Sequence, residues 1–85
     1  MVAARLIGAV DLALSGDWQA AHLIAQEHED DERANWLHAI CHRMEGDLAN
    51  ARYWYGRCGR ELRDDVEVQA ELHALRAALG EHRPG

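Results

Sequence analysis

The chain has 85 residues, which is enough for one domain of modest size. Nine Arg, no Lys and fifteen Asp plus Glu give a net charge of -6, which argues against a general nucleic-acid-binding protein because such proteins need surplus positive charge to displace counterions. Two Cys are too few for a disulfide-rich scaffold, and no apolar run approaches the length of a membrane-spanning helix.

Apolar residues recur at helical spacing along most of the chain, and no segment alternates for long enough to form a strand. The fold class is therefore predicted to be all-α, with five helices at residues 2–15, 18–28, 32–45, 48–57 and 66–79. Asp64 or Asp65 is predicted to cap the fifth helix. We expect residues 1–80 to form a single domain and residues 81–85 to form a flexible tail.

Two similar joints connect the predicted helices. The segment from Gly16 to Ala21 is echoed by the segment from Gly46 to Ala51, with the Gly, the Asp and the final Ala each displaced by 30 residues. Glycine accepts the left-handed conformation that ends a helix, and the aspartate that follows it can cap the next helix. The pattern predicts two helical hairpins, with Asp17 and Asp47 as the caps.

The spacing of Gly46, Ala51, Tyr55 and Cys58 resembles that of tetratricopeptide-type repeats, and Gly16 begins a weaker copy of the same pattern. The resemblance implies two helix pairs followed by a single helix that closes the array. It also implies a protein-interaction module rather than an enzyme.

A second resemblance lies in the blocks 36–39 and 53–55, which are similar to small bacterial proteins of unknown function. This resemblance implies a bacterial protein. A cytoplasmic location is expected, because reduced and unpaired Cys41 and Cys58 suit the cytoplasm. A secretory signal peptide is disfavoured, since Asp11 lies inside what would be its apolar core.

The implied interaction module binds a protein or peptide in a shallow groove between helices. Aromatic side chains would supply contact area, and arginines would supply charge complementarity. The candidate partner-binding residues are Trp36, Arg43, Arg52, Tyr53 and Arg57. No cofactor, nucleic acid or membrane partner is expected.

The first helix adds an expectation of its own, which is a homodimer or another stable complex. Arg5 and Asp11 are the only charges between Val2 and Leu14, and Leu12 is predicted to lie opposite the arc that faces the core. Leu12 is therefore a further candidate contact residue. In the alternative, the fifth helix covers this surface.

A small metal-binding protein is the alternative function. His38 and His42 are four residues apart and share a helix face, as in sites that bind zinc or nickel. Further ligands would have to come from His22, His28 or Glu45. The pair nevertheless belongs to a polar stripe, typical of an edge that faces solvent or a neighbouring helix, and the sequence therefore favours no metal site. The stripe comprises Asn35, His38, His42 and Glu45.

The remaining motifs favour neither catalysis nor nucleic-acid binding. Ser15 is the only Ser, there is no Thr, and no Gly-rich phosphate loop is present, so we expect no enzyme. The basic and aromatic segment 52–63 separates on a helix into an inward aromatic face and a solvated Arg edge. The acidic run 27–32 lacks the alternating ligands of a calcium loop and is expected to be a solvated turn.

Overall fold

The structure, a computed structural model, describes residues 2–80. Within this range all regular secondary structure is helical, which confirms the all-α class. The helices are α1 (Val2–Leu14), α2 (Trp18–Gln26), α3 (Glu32–Glu45), α4 (Leu48–Arg57) and α5 (Val68–Gly80). No helix among them is long and apolar enough to cross a membrane. The tail predicted at 81–85 lies outside the described residues.

The two Gly-Asp joints have the same geometry, as predicted. Gly16 and Gly46 have positive φ angles of 99° and 91°. The carboxylate of Asp17 accepts a hydrogen bond from the Ala20 amide at 3.1 Å, and that of Asp47 accepts one from the Asn50 amide at 3.2 Å. Each aspartate thus satisfies an amide that has no partner within its own helix.

The predicted cap of the fifth helix is wrong. Asp64 and Asp65 lie in a turn before α5, and the Asp65 carboxylate forms an ion pair with Arg63 at 2.8 Å. The helix begins two residues later than predicted, and the Glu71 amide donates its hydrogen bond to the Glu67 carbonyl. The local ion pair occupies the carboxylate that the sequence assigned to capping.

The third helix is the centre of the fold, because α2, α4 and α5 all pack against it. Every residue from 34 to 41 is buried, so the polar stripe of α3 faces neighbouring helices along this stretch. Asn35 and His38 are 4% and 2% exposed. The sequence allowed this stripe to face either solvent or a neighbouring helix, and from residue 34 to 41 it faces neighbouring helices.

The last helix closes the fold by packing against both α1 and α3. Arg76 of α5 donates hydrogen bonds to the Asp11 carboxylate of α1 at 2.7 and 3.3 Å. Leu12 is half-buried and packs against the core, so its predicted position opposite the core is wrong. Because α2, α3 and α5 all pack against α1, more of its circumference is covered than the helical pattern alone indicates. The predicted homodimer remains a prediction.

Candidate metal centre

Three histidines meet where α2 packs against α3. His22 lies in the middle of α2, whereas His38 and His42 lie one turn apart on α3. The Nε2 atoms of His22 and His38 are 2.9 Å apart. Of the further ligands that the sequence allows, helix packing therefore brings His22 to the pair.

The three imidazole rings form a tight cluster. The rings of His38 and His42 are stacked, with centroids 4.9 Å apart, and the ring of His22 meets both edge-on at 4.5 and 4.9 Å. One ring nitrogen from each histidine lies within 4.8 Å of those from the other two. Two nitrogens bound to one tetrahedral zinc ion lie roughly 3.4 Å apart, because Zn–N bonds are about 2.0–2.1 Å long. The cluster is therefore close to the size that a single ion requires.

A carboxylate orients one of the rings. Nδ1 of His42 lies 2.7 Å from Oε1 of Glu45, one turn further along α3. Since a carboxylate only accepts hydrogen bonds, Nδ1 of His42 is the donor, and in the neutral ring the lone pair then lies on Nε2. Histidines that bind metals commonly donate their second ring nitrogen to a carboxylate in this way. Glu45 therefore holds His42 in a form suited to metal binding.

His38 is the most buried member of the cluster. Its ring stacks on the Trp54 indole, with centroids 3.8 Å apart and an interplanar angle of 14°. Its Nδ1 atom has no hydrogen-bond partner among residues 2–80, so the contact with His22 is the one hydrogen bond of its ring within that range. Buried polar groups are nearly always hydrogen-bonded, and this atom is one of three side-chain exceptions within residues 2–80.

The electrostatic environment keeps two of the rings neutral. Burial lowers the pKa of His38 to about 3, and His22 and His42 act in the same direction. The pKa of His22 is also lowered, first by burial and then by His42, while Glu45 opposes the shift. Both shifts favour the neutral imidazole over the imidazolium, and the neutral imidazole is the form that binds metal ions.

Other metal-binding side chains do not join the cluster. Neither His28 nor Cys41 belongs to a metal-sized group among the residues that the structure describes. Cys41 is buried, and burial raises the pKa of its thiol to about 12, with Glu45 adding to the effect. A second group combines His42 with Glu45 and Asp47, but the Asp47 carboxylate is already engaged as the N-cap of α4.

Two of the predicted partner-binding residues, Trp36 and Arg43, belong to a buried polar network under α5. The Glu71 carboxylate accepts hydrogen bonds from Trp36 Nε1 and from the Tyr55 hydroxyl, each at 2.7 Å. It also accepts one from Arg43 Nη1 at 2.8 Å, and Arg43 donates another to the Val66 carbonyl. Arg43 is thus held within the fold.

Three other predicted partner-binding residues, Arg52, Tyr53 and Arg57, are exposed on α4. The Arg57 guanidinium lies 4.9 Å from the ring centroid of Trp54 and 5.9 Å from that of Tyr53. Trp54 stacks in turn on His38, so this surface adjoins the histidine cluster. The residues predicted to line one groove are therefore divided between the network under α5 and the exposed face of α4.

Glu71 is absent from the sequence predictions, although its position carries a signal. It lies three residues after Val68 and four before Leu75, both of which belong to the apolar stripe of α5, so it shares their face. A carboxylate on a core-facing stripe needs buried hydrogen-bond or charge partners. That requirement points to a donor such as Arg43 on a neighbouring helix.

Comparison of the chain with protein-family models, with curated proteins and with solved structures gives no significant match. The resemblance to tetratricopeptide-type repeats therefore rests on sequence spacing alone and stays a prediction.

Proposed function

We propose that this protein binds a divalent transition-metal ion, with His22, His38 and His42 as ligands. The observation that carries the proposal is the convergence of three ring nitrogens within 4.8 Å of one another where α2 meets α3. Imidazole suits zinc, copper and nickel, and three imidazoles leave a fourth tetrahedral position for water or another ligand. We favour zinc, because a site of three histidines with one open position is a common zinc arrangement.

The charges around the cluster support a bound cation. Glu45 contacts His42 at 2.7 Å, and the Asp47 carboxylate lies within 4.8 Å of the same histidine. The positive charge of Arg57 acts against cation binding, because its guanidinium lies over the Trp54 ring and His38 stacks on that ring. Two carboxylates therefore lie close to His42, whereas one guanidinium lies beyond the indole on which His38 stacks.

Zinc binding to tag-free protein, measured by isothermal titration calorimetry, is the direct test. We expect the wild-type protein to bind one zinc ion, and cobalt(II) to give the strong visible absorption of a four-coordinate site. His22→Gln is the most informative variant, because His22 is only half-buried and its replacement leaves the central helix intact. Zinc affinity should fall by more than the roughly 10–100-fold that loss of an outer-shell partner causes.

His73→Gln is the matched control, since His73 is exposed on α5 and lies outside the cluster. Circular dichroism of the metal-free variants establishes that each is folded before affinities are compared. Equal zinc affinity in the two variants would overturn the ligand assignment. A wild-type protein that bound neither zinc, copper nor nickel at micromolar free ion would overturn the proposed function.

A second candidate function, a protein-interaction module without catalytic activity, is favoured by a different observation. Tyr53 is 56% exposed on α4, and Arg52 and Arg57 are exposed beside it. Tyrosine and arginine are enriched among the residues that dominate binding energy at interfaces. We propose that these three residues contact a carboxylate-bearing protein or peptide.

A photo-reactive amino acid in place of Tyr53 tests this second candidate in the native host. We expect one crosslinked adduct of defined mass. An excess of wild-type protein should compete with the crosslink and abolish the adduct, whereas an excess of Arg57→Gln protein should not. The same photo-reactive residue in place of Gln69, which is exposed on α5, is the control. The same set of adducts from both positions would exclude a specific surface at Tyr53.

A further inference from the structure

A cleft separates α4 from α5 on the side of the molecule that carries residues 58–67. Both helices pack against α3, but they do not pack along each other, and the segment 58–67 bridges the gap between them. The cleft has a volume of about 470 Å³. Sites for small molecules in proteins usually have volumes of roughly 300–1,000 Å³. The size is therefore that of a small-molecule site.

One wall of the cleft is held in place by the Glu71 network. Trp36 and Tyr55 both line the cleft, and both donate hydrogen bonds to the Glu71 carboxylate at 2.7 Å. The charge of Glu71 is balanced by Arg43, whose Nη1 atom lies 2.8 Å from it. The wall is consequently preorganised, and its buried carboxylate does not repel an anion as a free carboxylate would.

Arg60 stands out among the charged residues of the cleft. The Arg60 backbone amide donates a hydrogen bond to the Tyr55 carbonyl at 2.8 Å. The preceding residue, Gly59, has a φ of 71°. A left-handed turn at the end of α4 therefore fixes the backbone position of Arg60. The Arg60 guanidinium lies over the Trp36 ring, with Cζ 3.5 Å from the centroid. Arg60 takes part in none of the ion pairs that arginines form within residues 2–80. The stacked guanidinium therefore keeps its planar set of N–H donors available.

The other charges on the lining are weaker candidates for ligand recognition. Arg63 forms an ion pair with Asp65 at 2.8 Å. Glu61 is exposed and is the nearest negative charge in sequence to Arg60. Val66, with two alanines of α5, supplies an apolar side to the same cleft. The lining thus combines one stacked arginine with an apolar surface.

We propose that this cleft binds a small organic carboxylate with a flat apolar body. The carboxylate pairs with the guanidinium of Arg60, whose planar donors match two carboxylate oxygens. The apolar body lies against Val66 and the small residues of α5. This site uses none of the three histidines, so it does not depend on the proposed metal function.

The probes are 2-naphthoate and 2-naphthamide, which share a flat apolar body and differ in charge. Their binding is followed by two-dimensional ¹H–¹⁵N NMR of the metal-free protein, with the indole N–H of Trp36 as the reporter at the cleft wall and that of Trp18 as a reference. We expect 2-naphthoate to shift the Trp36 signal and to bind roughly tenfold more tightly than 2-naphthamide, the difference expected for a charge-assisted pair.

Three variants assign the effect to Arg60. Arg60→Gln should reduce the affinity for 2-naphthoate to that for 2-naphthamide. Arg5→Gln, which removes the same charge from α1, should leave both affinities unchanged. Glu61→Gln should strengthen 2-naphthoate binding, because it removes the negative charge next to Arg60 in the sequence. The dispersion of the NMR spectrum shows that each variant is folded.

Three results would overturn the proposal. In the first, the two probes bind equally well, so that the cleft has no preference for an anion. In the second, Arg60→Gln and Arg5→Gln have equal effects, so that only overall charge matters. In the third, neither probe shifts the Trp36 signal up to its limit of solubility.

Discussion

Arg43 of α3 and Glu71 of α5 form an ion pair with an N–O distance of 2.8 Å, and only 11% and 13% of their side chains are exposed. The pair joins the central helix to the last one. Two further donors, from Trp36 and Tyr55, complete the hydrogen bonding of the carboxylate. Burial raises the pKa of the Tyr55 hydroxyl, and its hydrogen bond to Glu71 acts in the same direction.

We expect Glu71→Ala to lower the free energy of unfolding by about 3–5 kcal/mol, because it leaves Arg43 buried without its counter-charge. Urea denaturation measures the change. Glu67→Ala removes an exposed carboxylate at the N-terminus of α5, where the helix dipole favours a negative charge, and should cost no more than about 1 kcal/mol. In the double variant Arg43→Met with Glu71→Leu, the loss should be smaller than in Glu71→Ala. Equal losses for Glu71→Ala and Glu67→Ala would contradict a stabilising role for the network.

Zinc affinity should depend on Glu45 even though Glu45 is not assigned as a ligand. Glu45→Gln weakens the acceptor that holds the His42 tautomer, and we expect a loss of roughly 10–100-fold in affinity. The matched control is Glu32→Gln, which removes the same charge from the exposed first turn of α3. A similar loss in both variants would mean that Glu45 acts only through net charge.

Capping at the two Gly-Asp joints should be measurable as thermal stability. Asp17→Ala removes the acceptor for the Ala20 amide and should cost about 0.5–2 kcal/mol. Asp47→Ala should also lower stability, because the Asp47 carboxylate accepts the hydrogen bond of the Asn50 amide. Asp30→Ala, in the turn before α3, is the comparison. Unchanged melting temperatures in both cap variants would remove the capping interpretation.

The metal-free protein should lose stability as the pH falls below about 6.5, the ordinary pKa of histidine. Burial holds the pKa of His38 at about 3 in the folded state, so between these values the unfolded chain binds a proton at His38 that the folded chain excludes. Stability is therefore lost on acidification across this window, and the loss at pH 5 should be about 1–2 kcal/mol. Urea denaturation in EDTA at pH 7 and pH 5 tests it, and His38→Gln should flatten the dependence. An equal pH dependence in that variant would assign the effect to other groups.

Leu12→Glu should destabilise the fold rather than act only on association. Leu12 packs against the core, and we expect a loss of about 1–3 kcal/mol in the free energy of unfolding. Leu23→Glu is the control, because Leu23 is 64% exposed on α2 and should tolerate the change. Sedimentation of both variants measures their oligomeric state independently of their stability. If Leu12→Glu is as stable as the wild type, the contact between Leu12 and the core does not contribute to stability.

Local features of this fold could be predicted from the sequence because they depend on residues that are close together in the chain. The ranges of α3 and α4 and both aspartate caps agree with prediction, since helical periodicity and capping act over a few residues. The predicted cap at Asp64 or Asp65 failed for an equally local reason. Two neighbouring charges, Arg63 and Asp65, formed an ion pair instead.

The candidate site depended on helix pairing, which periodicity does not specify. His38 and His42 were identified as a pair because four residues separate them on one helix. His22 could not be singled out as the third member, because its position depends on the angle and register with which α2 packs against α3. Likewise, the partners of Glu71 come from two helices that precede it by 16 to 35 residues in the chain.

The pairing of the first helix with the last has a consequence for the order of assembly during synthesis. Arg76 and Asp11, which join these helices, are separated by 65 residues in the chain. As the ribosome works from the N-terminus, α1 is made first, yet the surface that α5 covers stays open until α5 has emerged. The segment from α1 to α4 can associate through neighbouring helices at little loop-closure entropy, whereas docking of α5 on α1 is the long-range step. The nascent chain therefore exposes the apolar side of α1 throughout the synthesis of α2, α3 and α4.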